Sequence, residues 1–203
     1  MIQPMATRDT AARRMTSEDR RDQLSAAALA VVAERGYPGL TLDEVAERAG
    51  VTRNLLYHYF PRGRLDLFLA AVDRAGHQLT DGWVTDESVP LDERLAANFA
   101  RFLEHALEPS DAWLVHRQGR LLGEPEVTAL GERYRSIVVE SVSLNHFGTD
   151  DPSPFARSAL RSYLDFAERA LDECRERDLD RELIGRLLSD TLLAVAASVR
   201  AAS

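Results

Sequence analysis

Hydrophobic residues recur along the chain at the three- and four-residue spacing of amphipathic α-helices, and no stretch shows the sustained alternation of a half-buried strand. Glycine or proline marks several of the short connections. Asp111 is the predicted cap of the sixth helix. The predicted fold class is all-α, with about nine helices at residues 17–35, 42–49, 53–59, 65–82, 90–107, 111–122, 125–147, 154–177 and 180–201.

The composition narrows the class of protein. The chain has 203 residues, a net charge of −8 and 25 basic side chains, all of them arginine. This length suits one large domain or a small domain joined to a larger one. No apolar run is long enough to span a membrane, and the polar N-terminus is unlike a secretory signal, so we expect no membrane partner. A single cysteine, Cys174, cannot form an internal disulfide, which favours a reducing, cytoplasmic location.

A helix-turn-helix is predicted over residues 41–60. Thr41 caps a two-turn helix, Gly50 ends it in the left-handed conformation, and Thr52 caps a second short helix. This second helix buries Leu56 against the rest of the unit. Two short helices joined by a tight glycine turn are typical of a motif whose second helix fits the DNA major groove.

The outward face of the second helix carries chemistry suited to DNA. Its side chains are Arg53, Asn54, Tyr57 and His58. Arginine pairs bidentately with guanine and asparagine with adenine, while hydroxyls and the amides of a helix start suit phosphate oxygens. The spacing alone also allows a helical hairpin without any DNA-binding role.

Residues 17–75 resemble the DNA-binding domain of the TetR family of bacterial transcriptional regulators. The matching text is A-A-x-x-x-x-x-E-R-G-Y at 27–37 and T-x-x-x-V-A-x-x-A-G-V-T-R-x-x-L-Y-x-Y-F at 41–60. Residues 1–16 show almost no apolar periodicity and are predicted to be a flexible arginine-containing arm. The resemblance implies a DNA-binding domain at 17–64 and a regulatory domain at 65–203. It implies a repressor that binds a palindromic DNA operator as a homodimer and responds to a small molecule, with no enzymatic activity and no cofactor.

The resemblance also implies individual DNA contacts. Thr41 matches a family position that touches a phosphate. The start of the recognition helix reads base edges and phosphates, and the aromatic segment that follows it holds phosphate. The text Pro61-Arg-Gly-Arg64 looks like the longer form of a turn that often ends in lysine, with Arg64 in the place of the lysine. The implied DNA-binding residues are Thr41, Thr52, Arg53, Asn54, Tyr57, His58, Tyr59 and Arg64.

The charge is unevenly distributed between the two halves. Residues 1–75 hold 11 arginines and 10 acidic side chains, a net charge of +1, whereas residues 76–203 hold 14 arginines and 23 acidic side chains, a net charge of −9. The acidity therefore lies where no DNA contact is expected, and nonspecific DNA affinity is predicted to be modest. The arm at 1–16 is either an added contact to DNA or a solvated tail.

The C-terminal half suggests a ligand pocket and a dimer interface. Aromatic walls with a few polar groups are what a small-molecule pocket needs. The helices at 154–177 and 180–201 carry sustained apolar stripes, which the resemblance assigns to a homodimer and which an internal core would also explain. The effector is expected to be an apolar or amphipathic small molecule of unknown identity. The candidate ligand-binding residues are Asn98, Phe102, His105, Trp113, Arg117 and Tyr134.

Two other classes of protein are weighed against this interpretation. An enzyme or metalloprotein is disfavoured because the five histidines form no metal-binding spacing and the chain has no nucleophile motif, so we expect no catalytic and no metal site. A constitutive DNA-binding regulator without a small-molecule effector is disfavoured only by the large acidic C-terminal half. Cys174 lies on an apolar helical stripe, where packing is favoured over a redox role.

Overall fold

The structure is a computed structural model that describes residues 15–81, 83, 86, 88–108 and 110–202, without the side chains of residues 91 and 92. Within this part of the chain it contains nine α-helices and no β-strand, which confirms the all-α prediction. The predicted arm at 1–16 lies outside the described residues except for its last two positions.

The helices follow the predicted bounds closely. The helices are α1 (Ser17–Gly39), α2 (Leu42–Ala49), α3 (Arg53–Tyr59), α4 (Arg64–Thr80), α5 (Leu91–Leu107), α6 (Asp111–Leu122), α7 (Pro125–Phe147), α8 (Pro154–Glu176) and α9 (Arg181–Ala201).

The largest difference from the prediction is at the end of α1. The predicted stop at about residue 35 coincides with a break, because Gly36 has a φ of 68° in the left-handed region. Helical structure then resumes for a short turn that contains Pro38. That turn ends where Leu40 donates its backbone N–H to the carbonyl of Tyr37 at 3.1 Å.

The cap of α6 also differs from the prediction. Ser110, not Asp111, is the capping residue, and its hydroxyl accepts the N–H of Trp113 at 3.3 Å. Asp111 is instead the first residue within the helix, where its carboxylate is stabilised by the positive end of the helix dipole.

Two apolar cores lie on either side of the C-terminal end of α4. The first is built by α1–α4 with parts of α6 and α7, and it includes the fully buried Leu56, Phe60 and Phe68. The second is built by α5–α9 around side chains such as Leu171. Leu79 packs against both cores, and α4 contacts α1, α6 and α7. A displacement of α4 would therefore change the packing of both cores.

Candidate nucleic-acid interface and ligand cavities

The turn between α2 and α3 is built by local hydrogen bonds. Thr41 accepts the N–H of Glu44 at 3.2 Å, and Gly50, with a φ of 65°, ends α2 in the left-handed region. Thr52 caps α3 by accepting the N–H of Leu55 at 3.4 Å. These are the caps that the sequence predicts, and they set the direction in which α3 leaves α2.

Helix α3 buries one face and exposes the other. Leu56 is fully buried beneath it, while the opposite face is open to solvent. Exposed side chains with donor and acceptor groups on one helical face are accessible to base edges and phosphates. The exposed residues of this face are Arg53, Asn54, Tyr57 and His58.

Arg53 is held in place by a residue that the sequence analysis did not single out. Its guanidinium lies 2.9 Å from the carboxylate of Asp43 on α2, and it lies 5.8 Å from the centre of the Tyr57 ring. Both partners of the ion pair are more than half exposed, so the pair is open to exchange with a phosphate or a guanine. Asp43 is therefore positioned to fix the direction of the Arg53 fork.

Tyr59 and Arg64 are less exposed than the rest of the predicted DNA-binding set. The Tyr59 ring packs edge-on against His58 with 5.1 Å between centroids. Arg64 stacks on the ring of Tyr37, 3.9 Å from its centre, and donates to the carbonyl of the same residue. Arg64 thus ties the start of α4 to the end of α1, and its contact with DNA remains a prediction.

Polar side chains of α6 and α7 contact the N-terminal half. Arg62, in the turn before α4, pairs with Glu126 in the first turn of α7 at 2.6 Å. Gln118 of α6 reaches the break in α1, where it accepts the N–H of Tyr37 at 2.9 Å and donates to the carbonyl of Val32 at 3.2 Å. A long-range pair of this kind leaves no local signal in the sequence.

A first cavity of about 60 Å³ lies between α4, α5, α6, α7 and α8. Four of the six residues predicted to bind a ligand line it, namely Phe102, His105, Trp113 and Tyr134. The indole N–H of Trp113 is buried and has no hydrogen-bond partner among the described residues. A buried donor without an acceptor costs free energy, so this group is poised to bind an acceptor from a ligand or water.

A second cavity of about 50 Å³ adjoins the first and contains a fifth predicted residue, Asn98. Trp83, Phe102 and Leu164 line both cavities and form the partition between them. The carbonyl oxygen of the Asn145 side chain is buried at the second cavity without a partner in the described part of the chain. The two cavities therefore differ in their unsatisfied groups, which are donors in the first and an acceptor in the second.

The sixth predicted residue, Arg117, lines neither cavity. It belongs to a partly buried ion network, in which it contacts Glu168 at 2.5 Å and also pairs with Asp172. Glu168 receives two further arginines, Arg120 and, at 3.1 Å, Arg135. This network joins α6, α7 and α8 behind the first cavity.

Several residues of the first cavity are absent from the predicted set, among them Arg101 and His116. Arg101 precedes the predicted residue His105 by four positions, a spacing that places both on one helical face and could have revealed it. Burial, followed by the charges of neighbouring arginines, lowers the pKa of His116 to about 4. His116 is therefore a neutral imidazole at pH 7.

Helix α4 contributes a wall of the first cavity through Gly76, Leu79 and Thr80. Gly76 is required there, because an added Cβ would lie only 2.3 Å from the ring of Tyr134 on α7. The Tyr134 hydroxyl donates to Asp73 of α4 at 2.7 Å. The helix that follows the recognition helix along the chain is thus in direct contact with the cavity and its lining.

The geometry defines an all-α protein with an exposed helix-turn-helix and separate internal cavities. The family model for bacterial regulatory proteins of the tetR family matches residues 24–71. A TetR-family transcriptional regulator from Streptomyces coelicolor is 31% identical in sequence, with a TM-score of 0.73 over 91% of this chain and 84% of that one. The chain belongs to the TetR family of DNA-binding transcriptional regulators, whose members dimerise.

Curated relatives are similar over a shorter length. The HTH-type transcriptional activator FasR of Mycolicibacterium smegmatis is 32% identical over 118 residues, which cover 57% of this chain and 53% of FasR. The HTH-type regulator CymR of Pseudomonas putida is 41% identical over 59 residues, 29% of each protein. The chain thus spans about half or less of these curated relatives, which are transcriptional regulators and not enzymes. None of the described helices has an apolar stretch long enough to cross a membrane.

Proposed function

We propose that the protein is a homodimeric repressor that binds a palindromic operator and is released by a small molecule. The observation that carries the proposal is the double role of α4. Its N-terminal half packs in the core of the helix-turn-helix through Leu67 and Phe68, while Gly76 and Leu79 line the first cavity. A ligand that displaces the C-terminal part of α4 would therefore also displace the recognition helix.

Residues 17–64 are proposed as the DNA-binding domain and residues 65–203 as the regulatory domain. Two recognition helices of a dimer must enter major grooves roughly 34–36 Å apart. A change in their separation would prevent both from binding at once. The proposed contacts are the exposed residues of α3 together with the capping threonines and the two partly covered side chains: Thr41, Thr52, Arg53, Asn54, Tyr57, His58, Tyr59 and Arg64.

The dimer is proposed to form through α8 and α9, because both expose large apolar side chains. On α8, Phe155 is 56% exposed and Phe166 is 41% exposed, and their spacing of eleven residues places them on one face. On α9, Leu183 and Leu187 are 57% and 47% exposed and lie one turn apart. Apolar patches of this kind are typical of a protein–protein interface.

The operator is tested by selecting bound sequences from a random pool of DNA duplexes. We expect a palindromic sequence to be enriched. Arg53→Ala should lower discrimination at one base pair of each half-site by roughly tenfold, because a bidentate arginine–guanine contact is lost. Equal weakening on selected and scrambled DNA would show that Arg53 only holds a phosphate. Enrichment of no sequence would contradict operator binding.

The dimer is tested by the molar mass in light scattering. The double variant Leu183→Glu/Leu187→Glu should be a monomer, because four buried carboxylates would face each other across the two-fold axis. Leu121→Glu is the matched control, since Leu121 is 82% exposed but lies on α6. A double variant that remains dimeric while the control behaves identically would contradict the proposed interface.

The small size of the cavities favours a second candidate function, a DNA-binding regulator without an effector. Cavities of about 60 and 50 Å³ are well below the roughly 300 Å³ of a typical ligand pocket. Under this alternative, no small molecule alters operator binding. The output also has an alternative, because FasR is named an activator. A reporter gene downstream of the selected operator distinguishes repression from activation.

A further inference from the structure

The buried polar atoms of the first cavity that lack a hydrogen-bond partner among the described residues are all nitrogen donors. One of them, Nη1 of Arg135, lies 3.1 Å from the carboxylate of Asp165. Two further N–H groups, Nε1 of Trp113 and Nε of Arg101, have neither a hydrogen-bond nor an ion-pair partner in the part of the chain that the structure describes. Both are donors and neither can accept. Such a cavity is matched by a ligand that brings acceptor atoms, and it is poorly matched by one that brings donors.

The charges around the cavity also favour a ligand that brings acceptor atoms. Arg135 lines the cavity and is paired with Glu168, which also lines it, at 3.1 Å. Arg101 has no carboxylate within ion-pair distance among the described residues, so the lining keeps one uncompensated positive charge. His105 adds no positive charge at pH 7, because burial, helped by the charge of Arg101, lowers the pKa of its imidazole. A partly buried guanidinium without a counterion is stabilised by an anion.

The wall between the first and the second cavity is apolar. It is formed by Phe102, Leu164 and Trp83, which line both cavities. A rotation of the Phe102 side chain would join the two spaces into one elongated channel, since Phe102 contributes to both walls. The second cavity is itself lined mostly by apolar side chains, including Leu95 and Leu192.

We propose that the ligand is a singly charged carboxylic acid with an extended apolar body. Its carboxylate accepts hydrogen bonds from Arg101 Nε and Trp113 Nε1 in the first cavity. Its apolar body passes Phe102 into the second cavity. This inference rests on the proposed function for its consequence at DNA, but not for the binding itself.

The test uses three probes that share a ten-carbon chain: decanoate, 1-decanol and decylammonium. Binding to the full-length protein without DNA is measured by isothermal titration calorimetry. We expect decanoate to bind at least tenfold more tightly than 1-decanol, and decylammonium not to bind. A neutral ligand leaves the Arg101 charge unpaired, and a cationic one places like charges together.

Variants assign the selectivity to the two donors. Arg101→Gln should weaken decanoate binding at least tenfold and leave 1-decanol binding unchanged. Trp113→Phe, which removes the N–H together with part of the indole and keeps an aromatic ring, should weaken decanoate binding severalfold more than 1-decanol binding, and it remains informative if Arg101→Gln does not fold. Arg157→Gln is the charge-matched control, because Arg157 lies on α8 and lines neither cavity.

Several results would overturn the inference. These are equal affinity for decanoate and 1-decanol, binding of decylammonium, no binding of any probe at about 1 mM, or selectivity that survives both cavity variants. Operator release is measured separately by fluorescence anisotropy. Donor-dependent decanoate binding that leaves operator affinity unchanged would contradict the proposed release mechanism while the ligand class stands. Operator release by the cation alone would contradict the ligand class while the release mechanism stands.

Discussion

The core around the helix-turn-helix and the core around the cavities are built differently. Among the described residues, every buried polar or charged side chain lies between residues 98 and 172, on α5, α7 or α8. The buried side chains of α1–α3 are all apolar, as in Leu24, Val45 and Leu56. The cavities and the orphaned Trp113 and Asn145 groups lie in the C-terminal half as well.

The apolar core of the N-terminal half is suited to stability, whereas the polar core and cavities of the C-terminal half are suited to binding. A close-packed apolar core gains stability from burial and is rigid, so it holds a recognition helix in one orientation. Cavities and unpaired buried donors cost free energy, and natural proteins retain such features mainly where a function requires them. Substitutions in the polar core of the C-terminal half should therefore distinguish effects on stability from effects on binding most clearly.

The largest expected effect is the loss of Glu168. Glu168→Ala removes the carboxylate that three arginines share, which leaves uncompensated charge in a partly buried site. We expect the free energy of unfolding to fall by about 3–5 kcal/mol, the cost of breaking a buried ion pair from one side. Urea-induced unfolding, followed by circular dichroism, measures this change.

Glu140→Ala is the matched control for that substitution. Glu140 is 44% exposed and lies 3.9 Å from Arg157, so its removal should cost less than about 1 kcal/mol. A loss at Glu168 no larger than the loss at Glu140 would contradict a structural role for the network.

The sequence predicts more of the structure in the N-terminal half than in the C-terminal half. The caps Thr41 and Thr52 and the turn residue Gly50 are confirmed, because capping and left-handed turns depend on residues within one or two turns of each other. Helix bounds follow from periodicity for the same reason. Ser110 caps α6 in place of the predicted Asp111. Both residue types are good helix caps, and the local sequence pattern does not distinguish between them.

The cavity depended on contacts that sequence spacing does not reveal. Phe102 and Trp113 face each other at 5.9 Å, and spacing along each helix was enough to propose both. Arg117 had the same helical signal, but its side chain turns to carboxylates more than 50 positions away on α8. Asp43 shows no signal of its own in the sequence, and the structure pairs it with Arg53.

The next effect tests the contact between α4 and the cavity. Gly76→Ala places a methyl group against the Tyr134 ring, so the ring must move into the first cavity or α4 must move away. We expect a loss of up to about 3 kcal/mol in unfolding free energy from overpacking. Gly131→Ala on α7 is the control, because nothing lies within 4 Å of its added Cβ. Equal stability of the two variants would show that Tyr134 adapts without cost.

A pH effect of about 2 kcal/mol is expected from His116. Its folded pKa of about 4 lies below the ordinary 6.5, so between these values the unfolded chain binds the proton and the folded chain does not. Stability is therefore lost as pH falls from about 6.5 toward 4, by about 2 kcal/mol at pH 5. Urea unfolding at pH 7.5 and 5 should show a smaller difference for His116→Gln than for the wild type. An unchanged difference would assign the pH effect to other groups.

The smallest effect on stability, and the most informative for DNA, is expected from Asp43→Asn. The Asp43–Arg53 pair is exposed, and such pairs contribute little measurable stability, so the unfolding free energy should not change. The substitution removes a negative charge beside the recognition helix and releases the Arg53 fork. Nonspecific DNA affinity should rise, and the slope of log affinity against log salt should steepen by about one. Fluorescence anisotropy with scrambled and operator DNA, at roughly 50 to 200 mM salt, measures both.

Glu44→Gln removes the same charge from the same helix, but Glu44 pairs with Arg35 and not with α3. If Asp43 orients Arg53, only Asp43→Asn lowers the ratio of operator to scrambled affinity, whereas an equal change in both variants would reduce its role to general charge.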